Sequence, residues 1–471
     1  MSGTHEETDR QGVLSFAFEV SPRPMDLTAR AGLTLVAEAV LALGLDEVVR
    51  EHLQVRARRR GLDEFEKLLV VVLTLAAGGD CVEDVEILRR DLGLQRLLGR
   101  ELPSADALHR FLAAFHDGAG LAQRPKQGAW IPPESTALQG LSAVGIELVR
   151  RVVALRAPRR ATLDLDATIL ESHKREALCH YKGGRGYQPT AVVWAEEDLV
   201  VADEYRDGNV PAGMGTQEIT RRALATLPAS VVERRFRGDS ACYEHRLLKY
   251  LWREKVGFSV SADMTRELRA VCTKRGVRWT RYEERERELV EVAELEHEPG
   301  EWPKDAPPMR YVALRFTGRQ GRLFDDGTDT KYLAVVSNRQ ELTPEQLVRW
   351  HWEKAGTIEF VHDVTKNELG ARVPPSHRFG ANAAWYRMAL ITYNVLTALR
   401  RIALPERFAQ ARPERLRYEL FTVPAEIHMH ARQLRARLGV PELTAEELIT
   451  ARRKLLAFQE RLHAHLSTAH G

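Results

Sequence analysis

The sequence predicts an α/β protein in which a mixed five-stranded sheet lies between two helical regions. Helical periodicity fills residues 27–155 and then gives way, near Arg160, to short strands separated by turns and helices. The order strand, strand, strand, helix, strand, helix, strand over residues 160–261 is typical of an α/β layer. Residues 263–340 interrupt this order with strand-like pieces between charged and Pro-rich turns, which predicts a β-rich insertion.

Composition limits the class of protein. The chain has 471 residues, of which 44% are hydrophobic and 29% charged, as in a soluble globular protein of two or three domains. It has neither an apolar run long enough to span a bilayer nor a signal-peptide pattern, so we expect a cytoplasmic protein without a membrane partner. Its four cysteines are far apart and form no CxxC, which argues against a zinc ribbon or a disulfide framework. The net charge of +3 is compatible with nucleic-acid binding and does not demonstrate it.

The N-terminal part divides into a polar arm, residues 1–25, and a helical region, residues 26–155, to which we assign DNA binding. The apolar stretch Phe65–Leu75 predicts a buried helix, and Ser104 is a natural N-cap for a helix over Ala105–Phe115. A basic cluster precedes the apolar stretch and comprises Arg56, Arg58, Arg59 and Arg60. This cluster could bind a DNA backbone, and it could equally be a solvated loop.

The predicted core begins at residue 156 and runs to residue 262. Its first strand, ATLDLDATI, alternates so that Asp164 and Asp166 share one face. A polar Gly-rich passage follows, in which Lys182 and Arg185 either contact DNA backbone or belong to a flexible loop. The remaining predicted elements are the strands Pro189–Ala195, Leu199–Tyr205, Val231–Arg237 and Val256–Ser261 and the helices Thr216–Leu227 and Tyr243–Glu254.

After the insertion, residues 341–404 form the second part of the core and residues 405–471 a tail. A long apolar helix is predicted over Phe379–Leu404, where Pro405 ends it, and the tail is predicted to be helical to about His465. A helix is also predicted from Ile358, with Thr357 as a possible N-cap.

The helix from Ile358 places Glu359, Asp363 and Lys366 on one face. That face could present a carboxylate and an ammonium to a metal and a phosphate. The alternative is a solvated face in which Lys366 pairs with Asp363. His362 could reach the same site, or it packs in the core.

Acidic residues lie at three places in the chain whose predicted elements could converge: on the first strand, at the end of the fourth strand and on the helix from Ile358. They are Asp166 (with Asp164 on the same face), Asp239 and Glu359. Carboxylate oxygens are the ligands that magnesium and manganese prefer, and phosphodiester chemistry suits two such ions roughly 3.5–4 Å apart. An aspartate at the end of a strand commonly caps a turn or a helix, and Glu359 could lie on a solvated helix face, but the order and element types of the acids together favour a two-metal site.

The sequence resembles the DDE transposases of bacterial insertion sequences, in particular the IS-thirteen-eighty family. The motifs that carry the resemblance are LDLDAT (Leu163–Thr168), HYKGGRGYQP (His180–Pro189), RDGNVPAG (Arg206–Gly213), FRGDSACY (Phe236–Tyr243), GTIEFVHDVTKNELG (Gly356–Gly370) and FGANAAWYR (Phe379–Arg387). The resemblance implies an RNase H-like core with a β insertion, metal-dependent cleavage at the ends of the element, and strand transfer by the freed 3′-hydroxyl. It also implies double-stranded DNA as the partner and a dimer on that DNA. The catalytic and metal-binding residues would be Asp166, Asp239 and Glu359, with Asp164 as the alternative first acid.

The signature Y-x2-R-x3-E-x6-K of related elements is half present. Glu359 and Lys366 match it, Trp352 replaces the tyrosine and Ala355 replaces the arginine. We expect Lys366 to contact phosphate and Lys354, next to the missing arginine, to point elsewhere on a helix. Trp352 could stack on a base or belong to the core. Two other functions fit the sequence: a transposase-derived DNA-binding protein that does not cleave, and a nuclease without strand transfer.

Overall fold

The computed structural model describes residues 19–55, 61–297, 302, 308–318, 324 and 327–469. The predicted basic cluster Arg56–Arg60 lies outside the described residues, as does most of the predicted N-terminal arm.

The N-terminal region is helical, as predicted. After the two-residue strand β1 (Leu27–Thr28), its helices are α1 (Thr34–Ala42), α2 (Leu45–His52), α3 (Glu64–Ala76), α4 (Val85–Arg90), α5 (Leu92–Leu98), α6 (Ala105–Ala113), α7 (Gly118–Leu121) and α8 (Thr136–Val153). Helix α3 is buried along almost its whole length, and a reciprocal capping box between Asp63 and Glu66 fixes its start. Ser104 caps α6 by accepting from Ala107 N, as predicted.

One sheet of nine strands forms the centre of the molecule. Between α8 and the end of the sheet the elements are β2 (Arg160–Ala167), β3 (Leu170–Glu171), β4 (Leu178–Cys179), β5 (Arg185–Tyr187), β6 (Thr190–Trp194), β7 (Leu199–Glu204), α9 (Thr216–Thr226), β8 (Glu233–Gly238), α10 (His245–Arg253), β9 (Gly257–Ala262), α11 (Arg266–Cys272), β10 (Thr280–Glu284), β11 (Glu288–Leu295), β12 (Arg310–Gly318) and β13 (Thr330–Ser337). The strand order is β10-β11-β12-β13-β9-β8-β2-β6-β7, and β3, β5 and β4 form a separate small sheet.

The five predicted core strands are β2, β6, β7, β8 and β9, and they are neighbours in the order β7-β6-β2-β8-β9. Strand β2 pairs parallel with β8 and antiparallel with β6, and β8 pairs parallel with β9. The predicted limit of five strands is wrong, because β13 pairs antiparallel with β9 and the insertion therefore continues the same sheet. Without β13, the edge of β9 would leave backbone N–H and C=O groups unpaired.

The last part of the chain places helices against this sheet. They are α12 (Pro344–Trp352), α13 (Ile358–Glu368), α14 (Phe379–Ile402) and α15 (Pro413–Leu416). Helix α14 is almost entirely buried and packs against α1, α3, α6 and α8 as well as β7. The N-terminal helices and the sheet therefore share one hydrophobic core.

The tail departs from its predicted helical structure. A hairpin of β14 (Ala425–His430) and β15 (Gln433–Leu438) precedes the long helix α16 (Glu442–Ala469), and β14 also pairs with β1. Ala431 and Arg432 form the turn with positive φ angles of 47° and 64°. Two-residue turns of this kind are normally made by Asn-Gly or Gly-rich pairs, so the sequence carries no turn signal here.

In the part of the chain that the structure describes, no helix combines the length and apolar character needed to cross a membrane.

Candidate active site

Two of the candidate acids lie side by side because β2 and β8 are parallel neighbours. Asp164 is opposite Arg237 and Leu165 is opposite Gly238, so the next positions, Asp166 and Asp239, follow at the same end of adjacent strands. Neighbouring strands are about 4.8 Å apart. Burial, and then the negative charge of Asp166, raise the pKa of Asp239. The two carboxyl groups therefore share one partly desolvated environment.

Asp239 also has a local role. One of its carboxylate oxygens accepts a hydrogen bond of 3.1 Å from Ala241 N and caps the short 3-10 turn Ser240–Cys242. Capping orients the carboxyl group at the end of β8. The structural and the catalytic interpretation of Asp239 are therefore compatible.

Glu359 lies in the first turn of α13, which begins at Ile358 as predicted and packs against β2 and β6. Its side chain is exposed. Thr357 stands at the predicted N-cap position of α13, but its hydroxyl contacts the carboxylate of Asp164 and the carbonyl of Lys354 and makes no capping hydrogen bond.

Asp164, the alternative first acid, is fully buried and bound within the protein. Arg237 donates to both carboxylate oxygens, at 2.6 and 2.8 Å, and Thr357 contacts one of them. Arg237 also donates to Trp350 O at 2.6 Å. The pair therefore ties the end of α12, through Trp350, and the start of the Glu359 helix, through Thr357, to the centre of the sheet.

The expectation that Lys354 points away from the site is wrong. Helix α12 ends at Trp352, and a 3-10 turn over Glu353–Gly356 replaces the continuous helix on which the expectation depended. The turn directs Lys354 inward, where it is 8% exposed and its Nζ lies 3.5 Å from Oδ2 of Asp166. Gly356 was the available sequence signal, since glycine weakens a helix interior.

Lys366, on α13, lies near other positively charged side chains. Its half-buried Nζ donates to Thr168 Oγ1 at 3.3 Å, and the pKa of its ammonium is lowered by burial and then by the charges of Arg372 and Lys182. The alternative pairing with Asp363 is not formed, because Asp363 binds Arg412. Sequence inspection did not single out Arg372.

The family model described as "Transposase DDE domain group 1" matches residues 18–459. The chain belongs to this family of DDE transposases. It is a DNA transposase, an enzyme that cleaves and transfers DNA strands, and its family uses divalent metal ions.

One similar solved structure is the cryo-EM structure of the piggyBac transposase synaptic complex with hairpin DNA. It is 12% identical with a TM-score of 0.44, and the match covers 78% of this chain and 72% of that chain. No curated protein sequence matches the chain.

The donor set of the transposase fits a divalent metal ion. Carboxylate oxygens are the ligands of magnesium and manganese, and a divalent cation relieves the mutual repulsion of Asp166 and Asp239. The ligand atoms of the three acids, Asp166, Asp239 and Glu359, do not all lie within 4.8 Å of one another. Two ions roughly 3.5–4 Å apart, each with ligands about 2 Å away, do not require such closeness.

The group in the described residues that does meet that distance is Asp80, Cys81 and Asp84 in a partly exposed turn. Asp84 accepts hydrogen bonds from the backbone N–H groups of Asp80 and Cys81. These bonds account for the closeness of the three side chains as turn capping.

His362 is buried beside the candidate acids. Its two ring nitrogens have no hydrogen-bond partner among the described residues, and burial lowers its pKa to about 4, with Asp166 acting in the opposite direction. The imidazole is therefore neutral at pH 7.

The other predicted DNA contacts occupy different surroundings. Arg185 donates to the carbonyls of Ala177 and Arg175, at 2.8 and 2.6 Å, and so holds the Gly-rich loop together. The ring of Trp352 packs edge-to-face on Tyr282 at 5.6 Å, against an apolar cluster between β11, β12 and α12. The DNA-binding roles of Arg185, Trp352 and the exposed Lys182 stay predictions.

Proposed function

We propose that this transposase cuts at the inverted-repeat ends of an insertion sequence and joins the freed ends to target DNA, with two magnesium or manganese ions at its active site. We assign the chain to the IS-thirteen-eighty branch, with an RNase H-like core and a dimer acting on DNA. The order β7-β6-β2-β8-β9, with β8 and β9 parallel to β2 and β6 antiparallel to it, supports the proposed core.

The observation that carries the proposal is the placement of Asp166 and Asp239 at one end of adjacent parallel strands, beneath the helix that bears Glu359. We assign metal binding to these three residues. Asp166 is our first acid, because both oxygens of Asp164 already accept hydrogen bonds from Arg237.

Each residue then has a defined task. Bound divalent ions would supply an activated attacking oxygen and stabilise the leaving oxygen. Lys366, with Lys182 and Arg372 nearby, provides positive charge for the DNA backbone phosphates. Neutral, buried His362 excludes water beside Asp166.

The test is cleavage of a duplex that carries the inverted repeats flanking the gene, in Mg²⁺ or Mn²⁺. We expect Asp239→Ala to abolish cleavage and Asp263→Ala to retain it. Asp263 is a matched control because it is exposed and directly follows β9, which is also parallel to β8.

Cleavage by Asp239→Ala at the wild-type rate would overturn the proposal. Strand-transfer products are expected in the same reaction, and cleavage without them would identify a nuclease. Binding of the duplex by wild-type protein without cleavage would identify a DNA-binding protein that no longer cuts.

A further inference from the structure

Lys354 is a buried cation beside Asp166, one of the proposed metal ligands. Its side chain is 10% exposed, and Nζ forms its ion pair with Asp166 at 3.5 Å. A charge-assisted hydrogen bond is shorter, about 2.7–2.9 Å. The ammonium is therefore near the carboxylate without being closely bound to it.

The charge of Lys354 acts on the whole site. It opposes the rise that burial and Asp166 cause in the pKa of Asp239, on the neighbouring strand, and its Nζ faces Asp166. It also lowers the pKa of the two buried imidazoles, His351 and His362, that lie on either side in the chain. The charge of Lys354 therefore stabilises the ionised form of both Asp166 and Asp239, and its ion-pair contact is with Asp166.

Burial of an ammonium is unfavourable unless an opposite charge compensates it. Asp166 and Asp239 provide that compensation, and a divalent ion bound by the same carboxylates would replace attraction with repulsion. The 3-10 turn Glu353–Gly356, rather than a helix, carries Lys354, and a flexible four-carbon side chain separates its ammonium from the backbone.

We propose that Lys354 substitutes for the metal in the free protein and moves to a DNA phosphate when metal binds. This inference rests on the proposed function, since it takes Asp166 and Asp239 as metal ligands. Its consequence is cooperativity: the ammonium opposes metal binding in the absence of DNA, and a phosphate gives it a new partner. By thermodynamic linkage, DNA then raises metal affinity and metal raises DNA affinity by the same factor.

The experiment measures Mn²⁺ binding to the full-length protein by the EPR signal of free Mn²⁺, with and without the inverted-repeat duplex. We expect the duplex to raise the Mn²⁺ affinity of wild type by about tenfold, within the usual range of such coupling. Lys354→Met should bind Mn²⁺ about tenfold more tightly without DNA and should lose most of the enhancement by DNA. Lys354→Arg, which keeps the charge, should retain the coupling.

Lys454→Met is the matched control, because Lys454 is an exposed lysine on α16. It should behave as wild type. Equal Mn²⁺ affinity of wild type and Lys354→Met, at equal DNA enhancement, would overturn the inference. If the Met variant does not fold, Lys354→Gln replaces it, and absence of reciprocal coupling in the wild type alone also overturns the inference.

Asp239→Ala separates the two hypotheses in the same titration. If it loses the Mn²⁺ binding that wild type shows, the metal site stands whatever Lys354 does. If wild type binds no Mn²⁺ even with DNA, the proposed function itself fails.

Discussion

Asp164 and Asp166 are two residues apart on one face of β2, yet their surroundings predict opposite responses to substitution. In Asp164→Asn the guanidinium of Arg237, which is 2% exposed, loses its compensating charge. Breaking a buried ion pair from one side costs about 3–5 kcal/mol. Arg237 keeps its bonds to Trp350 O and to Glu353, so we expect the lower end, about 3 kcal/mol. Asp166→Asn removes a partly exposed charge that attracts Lys354 and repels Asp239. Because these two losses oppose each other and Asp239 still compensates the ammonium, the effect on stability should stay within about 1 kcal/mol.

The assay is urea unfolding at pH 7 beside cleavage of the inverted-repeat duplex. We expect Asp164→Asn to lose stability and Asp166→Asn to fold normally and fail to cleave. The double variant Asp164→Leu/Arg237→Met should be less destabilised than the sum of its single variants, because neither charge is then left buried alone. A stable, inactive Asp164→Asn together with a destabilised, active Asp166→Asn would refute the assignment of Asp166 as the first acid.

Two further predictions concern charge. Burial raises the pKa of Asp207 to about 6, against the opposing effect of Arg124. The folded protein therefore holds the proton of Asp207 more tightly than the unfolded chain does. The stability that this protonated carboxyl group contributes is fully present below about pH 4 and is lost as the pH rises through 6. The free energy of unfolding of wild type minus that of Asp207→Asn should accordingly fall by on the order of 3 kcal/mol over this range, and a flat difference would contradict the buried position. Lys366→Ala should weaken DNA binding and reduce the slope of log affinity against log salt by about one, while Lys454→Ala leaves that slope unchanged; an unchanged slope for Lys366→Ala would exclude a phosphate contact.

The local elements of the core follow from patterns that act over a few residues. The alternation of apolar and polar residues predicts strand β2, in which Leu163 and Leu165 are buried, and an apolar run predicts the buried helix α14. The start of α13 at Ile358 was also predicted. Thr357 stands at its predicted N-cap position, but its hydroxyl does not cap the helix because it binds Asp164, which is remote in sequence.

The structural predictions were wrong where a long-range contact overrides the local preference of the chain for a helix, strand or turn. The insertion joins the main sheet because the edge of β9 is available to β13, and nothing in either segment specifies that pairing. The hairpin β14–β15 lacks the Asn-Gly or Gly-rich turn residues from which a hairpin is predicted. Lys354 enters the site because a 3-10 turn interrupts the helix on which it was expected to point away.

The sequence by itself determined the five core strands and the helices between them, and its acids and motifs predicted the DDE transposases, a family that the match over residues 18–459 then showed. Tertiary structure alone decided which of two neighbouring aspartates is held by an arginine and which faces a lysine. The reason is that alternation along a strand gives Asp164 and Asp166 the same face, whereas their partners, Arg237 and Lys354, come from distant segments that only folding brings to β2.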